Sequence, residues 1–259
     1  SNLVSEVEGM ESTVSDDSTQ MAQETNPEYF RYRIEDTTGS IVITGYSGPD
    51  ANVVIPNVFE NRPVLTIGSG AFEDNQVIKS VVIPNTVTTI EGQAFKNSTL
   101  EEIVLPDHLQ IIEEEVFESC PLTEVDIPQG TTTIGIMAFY SCELSRVSLP
   151  NSLQIIAANA FYNNPSLSEV TIPESVTYIG NLEEEDLDNF LTLTVYPRSR
   201  ADIRLYGYSS LMEDISNKVK PQSFPAFDDQ TVFYGKSGSF AEKYVNATAE
   251  YYGYKFIAI

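Results

Sequence analysis

The stretch "EVDIPQGTTTIGIMAFYSC" (residues 124–142) has a near copy on each side. "EIVLPDHLQIIEEEVFESC" (102–120) precedes it and "RVSLPNSLQIIAANAFYNN" (146–164) follows it. An apolar-proline pair recurs at Ile55-Pro56, Ile83-Pro84, Leu105-Pro106, Ile127-Pro128, Leu149-Pro150 and Ile172-Pro173, with steps of 28, 22, 22, 22 and 23 residues. A second column, Phe72, Phe95, Phe117, Phe139 and Phe161, sits directly after Ala71, Ala94, Val116, Ala138 and Ala160. Two columns that agree on one period define a repeat architecture.

The unit reads L-x-x-V-x-I-P-x-x-L-x-x-I-x-x-x-A-F-x-x-C/N. Val125 and Ile127 alternate as a short strand does. The proline then ends strand pairing, because it has no N–H to donate. Ile134, Ala138 and Phe139 follow at spacings that predict a helical or 3₁₀ turn. One unit is therefore a strand, a corner and a compact return. Its few apolar side chains cannot alone offset the entropy of ordering its backbone, so neighbouring units must cover both of its faces. The prediction is a solenoid with a parallel sheet, right-handed by the crossover rule.

Composition agrees and excludes several classes. The chain has 259 residues, 41% of them hydrophobic, enough for a sizeable core. The net charge of −24 argues against nucleic acid and anionic membranes as partners. It suits solubility, or a cationic partner. No run approaches the ~18–20 apolar residues of a membrane helix, and no signal-peptide pattern is expected in the quoted chain.

Two cysteines, Cys120 and Cys142, exclude a disulfide scaffold and a Cys₄ zinc site. The single histidine, His108, excludes any site needing two imidazoles and lies far around the coil from both thiols. Three residues after each column phenylalanine stand Asn75, Ser98, Cys120, Cys142 and Asn164, placed to meet unpaired backbone groups at an inner turn. Coils about 4.8 Å apart would permit a Cys120–Cys142 bridge by distance. Stacked copies, however, hold their Cβ vectors parallel, which favours two buried free thiols.

The phrases "SVVIPNTVTTIEGQAFKNS" and "EVTIPESVTYIG" resemble the BspA-like leucine-rich repeat family of bacterial cell-surface proteins. "FRYRIEDTTGSIVITGYSGPDANVVIP" is similar to that family's amino-terminal cap, and "TVFYGKSGSFAEKYVNATAEYYGYKFIAI" to its closing strand-helix-strand. The resemblance implies an α/β leucine-rich-repeat solenoid that is secreted or displayed at the surface. It further implies an adhesin-like module, binding a host protein or glycan with no catalytic residues. The sixth unit departs from the pattern and is expected to lose its Ala-Phe pair, since "GNLEEEDLDNF" follows Ile179.

Residues 1–28 hold no Lys or Arg and no period, and read as a flexible acidic linker. Residues 29–259 form the repeat domain: a cap over 29–54, repeats over 55–180, then degenerate repeats and a cap over 181–259. Phe30, Tyr32 and Ile34, a turn at Thr37-Thr38-Gly39, and Ile41 and Ile43 predict a hairpin that shields the first coil's edge. The first unit carries five extra residues around "VFENRPVL". Ser239 and Glu242 have capping-box spacing, Tyr244 continues a helical pattern, and Gly253 suits its stop. A weaker helix is predicted at 198–207.

Residues flanking the central Val of each strand point away from the core. They form two columns, Ser80, Glu102, Glu124, Arg146, Glu169 and Val82, Val104, Asp126, Ser148, Thr171. The candidate ligand face comprises Glu102, Val104, Glu124, Asp126, Arg146, Ser148, Glu169 and Thr171, because solenoids recognise partners on the concave sheet face. No cofactor or metal is expected: the acidic runs at 113–115 and 183–188 lack the EF-hand pattern. Three functions follow in order. The first is a surface binding module, the second a structural spacer, and the third a glycan hydrolase using two nearby carboxylates such as Glu102 and Glu124. A deep pocket with converging carboxylates would favour the last.

Overall fold

The computed structural model describes residues 23–180, 226–229 and 231–259. The acidic run at 183–188 and the helix expected at 198–207 lie outside them, as does most of the expected linker. Two strands come from each repeat. The pre-proline strands are β3 (Asn52–Val54), β6 (Ser80–Val82), β8 (Glu102–Val104), β10 (Glu124–Asp126), β12 (Arg146–Ser148) and β14 (Glu169–Thr171). The post-proline strands are β7 (Thr89–Ile90), β9 (Ile111–Ile112), β11 (Thr133–Ile134), β13 (Ile155–Ile156) and β15 (Tyr178–Ile179).

Ile134 and its counterparts thus stand in strands; of the helical or 3₁₀ turn predicted there, isolated 3₁₀-type bonds follow, Ala138 to Gly135 and Tyr140 to Met137, but no continuous helix forms. The reason lies in the backbone. Each return segment holds non-glycine residues in the left-handed region, such as Gln93, Asn97, Glu115, Ser119, Met137 and Ser141. A left-handed residue reverses the chain, so its N–H leaves the coil instead of closing a helical turn. Every one of these six N–H groups donates to a carbonyl of the next coil, at 2.8–3.1 Å. The phenylalanines follow the same rule: Phe95, Phe117 and Phe139 donate to Val116, Ala138 and Ala160.

This ladder stacks the aromatic column. Phe72, Phe95, Phe117, Phe139 and Phe161 are buried, with successive ring centroids 4.8–5.4 Å apart and planes within 18° of parallel. The small residue ahead of each phenylalanine is itself buried and leaves room for the stack. Cys120 and Cys142 are both free and buried. Their thiols donate to the Phe95 and Phe117 carbonyls at 3.0 and 3.2 Å. Asn164 serves the same position with more bonds. Its amide donates to the Phe139 and Phe161 carbonyls and accepts from the Leu144 N–H.

The column does not end at Phe161. Ala226-Phe227 completes the sixth coil, 43 residues later than the Ile156-to-Phe161 spacing would place it. Phe227 stacks on Phe161 at 5.2 Å, and the Phe161 N–H donates to the Ala226 carbonyl at 2.8 Å. The sixth unit therefore keeps its Ala-Phe pair, separated from Ile179 by a long intervening segment. Asp228, next in that sixth coil, meets the fifth coil with its side chain. Its carboxylate accepts from the N–H groups of Asn163 and Asn164 at 2.6 and 2.5 Å, where a backbone carbonyl serves Ser141 one coil earlier.

At the amino end β1 (Phe30–Ile34) pairs antiparallel with β2 (Ile41–Tyr46). The extra residues of the first unit make a second hairpin, β4 (Val58–Phe59) against β5 (Arg62–Ile67), turning at Glu60 and Asn61 with φ of 49° and 62°. β5 joins the long post-proline sheet, whose order is β1-β2-β5-β7-β9-β11-β13-β15. The linker expected over 1–28 ends sooner than predicted. Thr25 is buried, donates its N–H to the Val54 carbonyl and accepts the Val54 N–H, each at 2.9 Å, so β3 has its outer polar groups met.

At the carboxyl end β16 (Val232–Gly235) pairs parallel with β14, and β17 (Lys255–Ala258) with β16. Helix α1 (Phe240–Tyr252) connects them. Ser239 caps α1 by accepting the Glu242 N–H, and Gly253 ends it with φ of 68°. Tyr244 and Tyr254 close over Phe233, and the Tyr254 hydroxyl donates to the Phe227 carbonyl at 2.7 Å.

Phe117→Ala opens a cavity inside a column that cannot collapse without breaking the ladder on both sides. Chemical denaturation should show a loss of about 3–5 kcal/mol. A loss below about 1 kcal/mol would mean the stacking is not a principal source of stability.

Candidate functional site

The pre-proline strands carry the candidate face. Their central residues Val53, Val81, Val125 and Val170 are buried, so the residues on either side of each project outward. Glu102, Val104, Glu124, Asp126, Arg146, Ser148, Glu169 and Thr171 are all exposed. Register sets them in columns: Ser80 opposite Glu102, Glu124 opposite Arg146, Val82 opposite Val104, and Asp126 opposite Ser148. The columns run further than the six prolines announce. Asn52 and Val54 begin them, while Val232, Tyr234, Lys255 and Ile257 extend them beyond Glu169 and Thr171. The "VVIP" at 53–56 already carried the signal for the first extension. The second has no proline, and its strands were expected only as a cap.

The face is not one continuous ladder. The pre-proline strands fall into β3-β6-β8, β10-β12 and β14-β16-β17. Between β10 and β12 opposite charges face each other, and Arg146 ties the two strands together. Its guanidinium donates to Glu124 at 3.0 Å and forks onto both oxygens of Asp126 at 2.7 and 3.4 Å. Those bonds hold the Asp126 carboxyl below the usual carboxylate value. Between β8 and β10 the repeat sets Glu102 against Glu124, and like charges opposite each other weaken strand pairing. Among the described residues no ladder joins those two strands. Between β12 and β14 the step is 23 residues, and among the described residues no ladder joins them although Arg146 and Glu169 carry opposite charges.

Where β8 and β10 separate, the surface opens into a concavity of ≈ 530 Å³. Ile103 lies beneath it, less buried than Val81 or Val125. Val104 stands on it 56% exposed, a large apolar side chain left in water. Glu102 has no ion-pair or hydrogen-bond partner among the described residues.

The other acidic cluster has a structural account. Glu113 reaches back one coil and accepts the Gly92 N–H at 2.8 Å, as Glu91 accepts the Ser69 N–H at 2.9 Å. Burial pushes the Glu113 carboxyl up to about 8 and raises Glu114 as well. Burial also opposes ionisation of Glu115, but hydrogen bonds from Lys96 and Gln93 outweigh it and hold that carboxyl low. Among the described residues no group of three or more His, Cys, Asp or Glu side chains is arranged to hold a metal ion. The cysteines are similarly accounted for. Burial raises Cys120 to about 11 and Cys142 well above the ordinary thiol value, the opposite of what a nucleophile needs.

These features define a leucine-rich-repeat solenoid with an exposed, charged strand face. Residues 65–183 match the family model described as "BspA type Leucine rich repeat region", in six copies. Solved structures of bacterial leucine-rich-repeat proteins are similar. The leucine-rich repeat protein of T. pallidum is 28% identical, over 62% of this chain and 84% of its own, with a TM-score of 0.47. A leucine-rich cell surface protein from Faecalibacterium prausnitzii is 27% identical over 61% of this chain and 51% of its own, with a TM-score of 0.45. The pneumococcal vaccine antigen PcpA is 24% identical over 61% and 46%, with a TM-score of 0.52. The chain thus spans only about half the length of the last two. No curated protein matches the sequence.

Two measurements check the site chemistry. A carboxyl raised by folding destabilises the fold once ionised. Its penalty is absent below its unfolded value near 4.5 and complete above about 8. Glu113→Gln should therefore match the parent at pH 4 and exceed it by on the order of 1–2 kcal/mol at pH 9, read by urea denaturation. A constant difference across that range would refute the raised value. A thiol-reactive probe should leave Cys120 and Cys142 untouched in the folded protein and label both in denaturant. Labelling at native rates would show that the inner turn opens.

Proposed function

We propose that this chain is a non-catalytic binding module of the bacterial cell surface, an adhesin that recognises a host protein or glycan through its pre-proline strand face. The observation that carries the reading is the exposure of all eight residues from Glu102 to Thr171 on one strand face, beside a concavity of ≈ 530 Å³. A rigid parallel sheet presents side chains at fixed spacing with little entropy left to lose on binding. Surface location draws support from a similar structure described as a leucine rich cell surface protein. Among the described residues no helix is long and apolar enough to cross a membrane.

The interior is filled by the aromatic column, and the concavity is open to solvent, which supports binding over turnover. Neither glutamate of the hydrolase alternative, Glu102 or Glu124, is sequestered from water, as a tuned acid-base pair would be. The spacer reading shares the same fold but gives the unpaired Glu102 and the exposed Val104 no role.

Binding of the chain to immobilised host matrix proteins and glycans tests the proposal, beside a variant carrying Glu102→Lys, Glu124→Lys and Asp126→Lys with unchanged folding. A saturable signal lost in the variant is expected. A signal that survives the triple change would move the site to the caps, and no signal at all would favour a spacer.

A further inference from the structure

We infer that the opening between β8 and β10 receives a basic segment of a partner protein. The aliphatic stem of a lysine or arginine would lie on Val104, with its charge against Glu102. The inference rests on the strand-face reading above and names the partner's chemistry.

Three separate observations converge. The first is the break in the sheet. β8 ladders to β6 and β10 to β12, but not to each other, and the resulting concavity is the space available to a side chain. The second is apolar. Val82 and Val104 stand side by side in one column, with Val104 56% exposed, a surface that gains by being covered. The third is electrostatic. Five carboxylates and one guanidinium line the concavity, and that guanidinium is already committed to Glu124 and Asp126. Glu101 is paired with Lys79, and Asp107 accepts from Asn85. Glu102 is left without a partner among the described residues, facing the column position of Glu124.

Lysine and arginine satisfy all three at once. Their methylene stems cover apolar surface while the charged head stays at its edge. Glu102 and Val104 are two residues apart on one strand face, about 7 Å, the reach of such a side chain. A cation placed there also offsets the like charges of Glu102 and Glu124. A glycan fits less well. Sugar faces are recognised by aromatic rings, and none of the residues lining the concavity is aromatic.

The test uses the whole chain and labelled alternating peptides, lysine-valine and glutamate-valine, by fluorescence anisotropy, with a neutral chitin oligosaccharide as competitor. Variants are Glu102→Lys, Val104→Ser and Glu73→Lys; the last makes the same charge change at an exposed position off the face. The lysine-valine peptide should bind, weaken with salt, and lose roughly tenfold with Glu102→Lys. Val104→Ser should weaken it several-fold, whereas Glu73→Lys should bind like the parent. The inference is overturned if Glu102→Lys and Glu73→Lys weaken binding equally, if the glutamate-valine peptide binds as well, or if the oligosaccharide displaces the peptide. Failure here, with matrix binding still lost in the triple variant, would leave the strand face as the site and discard only the basic partner. Failure of both would discard the face itself.

Discussion

Every coil depends on hydrogen bonds it cannot make for itself. In a helix or a hairpin the backbone finds partners within its own segment. Here the N–H groups of the return turn alternate between a bond inside the coil, as from Ala138 to Gly135 and from Tyr140 to Met137, and a bond along the stack. Phe95, Glu115, Phe117, Ser119, Met137 and Phe139 each donate to the neighbouring coil. Buried N–H groups without partners are expensive, so no coil is stable at an open end. The molecule's irregular features follow from this constraint. Thr25 meets the outer groups of the first pre-proline strand. Asp228 supplies carboxylate oxygens where the earlier coils supply a backbone carbonyl, and the strand-helix-strand end covers the last aromatic ring.

The buried half of the repeat was legible because it is periodic. The prolines, the phenylalanine column and the Asn/Ser/Cys position announced the stack, its parallel sheet and the burial of both thiols. The second strand of each unit was not legible. Ile134 and Ala138 sit at helical spacing, and only the left-handed backbone at Met137 and Ser141 breaks the helix. Those residues carry no glycine to mark them. Ala226-Phe227 was missed because a long insertion destroys spacing while leaving stacking intact. Phe227 finds Phe161 through the ladder, whatever length of chain intervenes.

The face was only partly legible. Alternation around a buried valine assigned all eight candidate residues to one exposed surface. It did not show that the sheet divides there, because division depends on what meets across neighbouring strands. Glu124 against Arg146 supports a ladder, and Glu102 against Glu124 does not. A repeat alignment contains both facts, but they matter only once the strands are known to lie side by side in that register.

Stacking and recognition therefore use different regions of the same unit, and they make opposite demands. The inward positions repeat because each must fit against its own copy: phenylalanine on phenylalanine, small residue under small residue. The outward positions have no such requirement. At one column site the units carry Ser80, Glu102, Glu124, Arg146 and Glu169 in turn, a variety the buried columns could not tolerate. The two sets still touch at one point. The ladder stops where Glu102 meets Glu124 on the outer face, while the post-proline pairing of β9 with β11 keeps the same coils in register behind them. The second sheet is what allows the first to open. A single-sheet stack would lose its register where Glu102 meets Glu124, whereas this one tolerates the break and presents it to solvent.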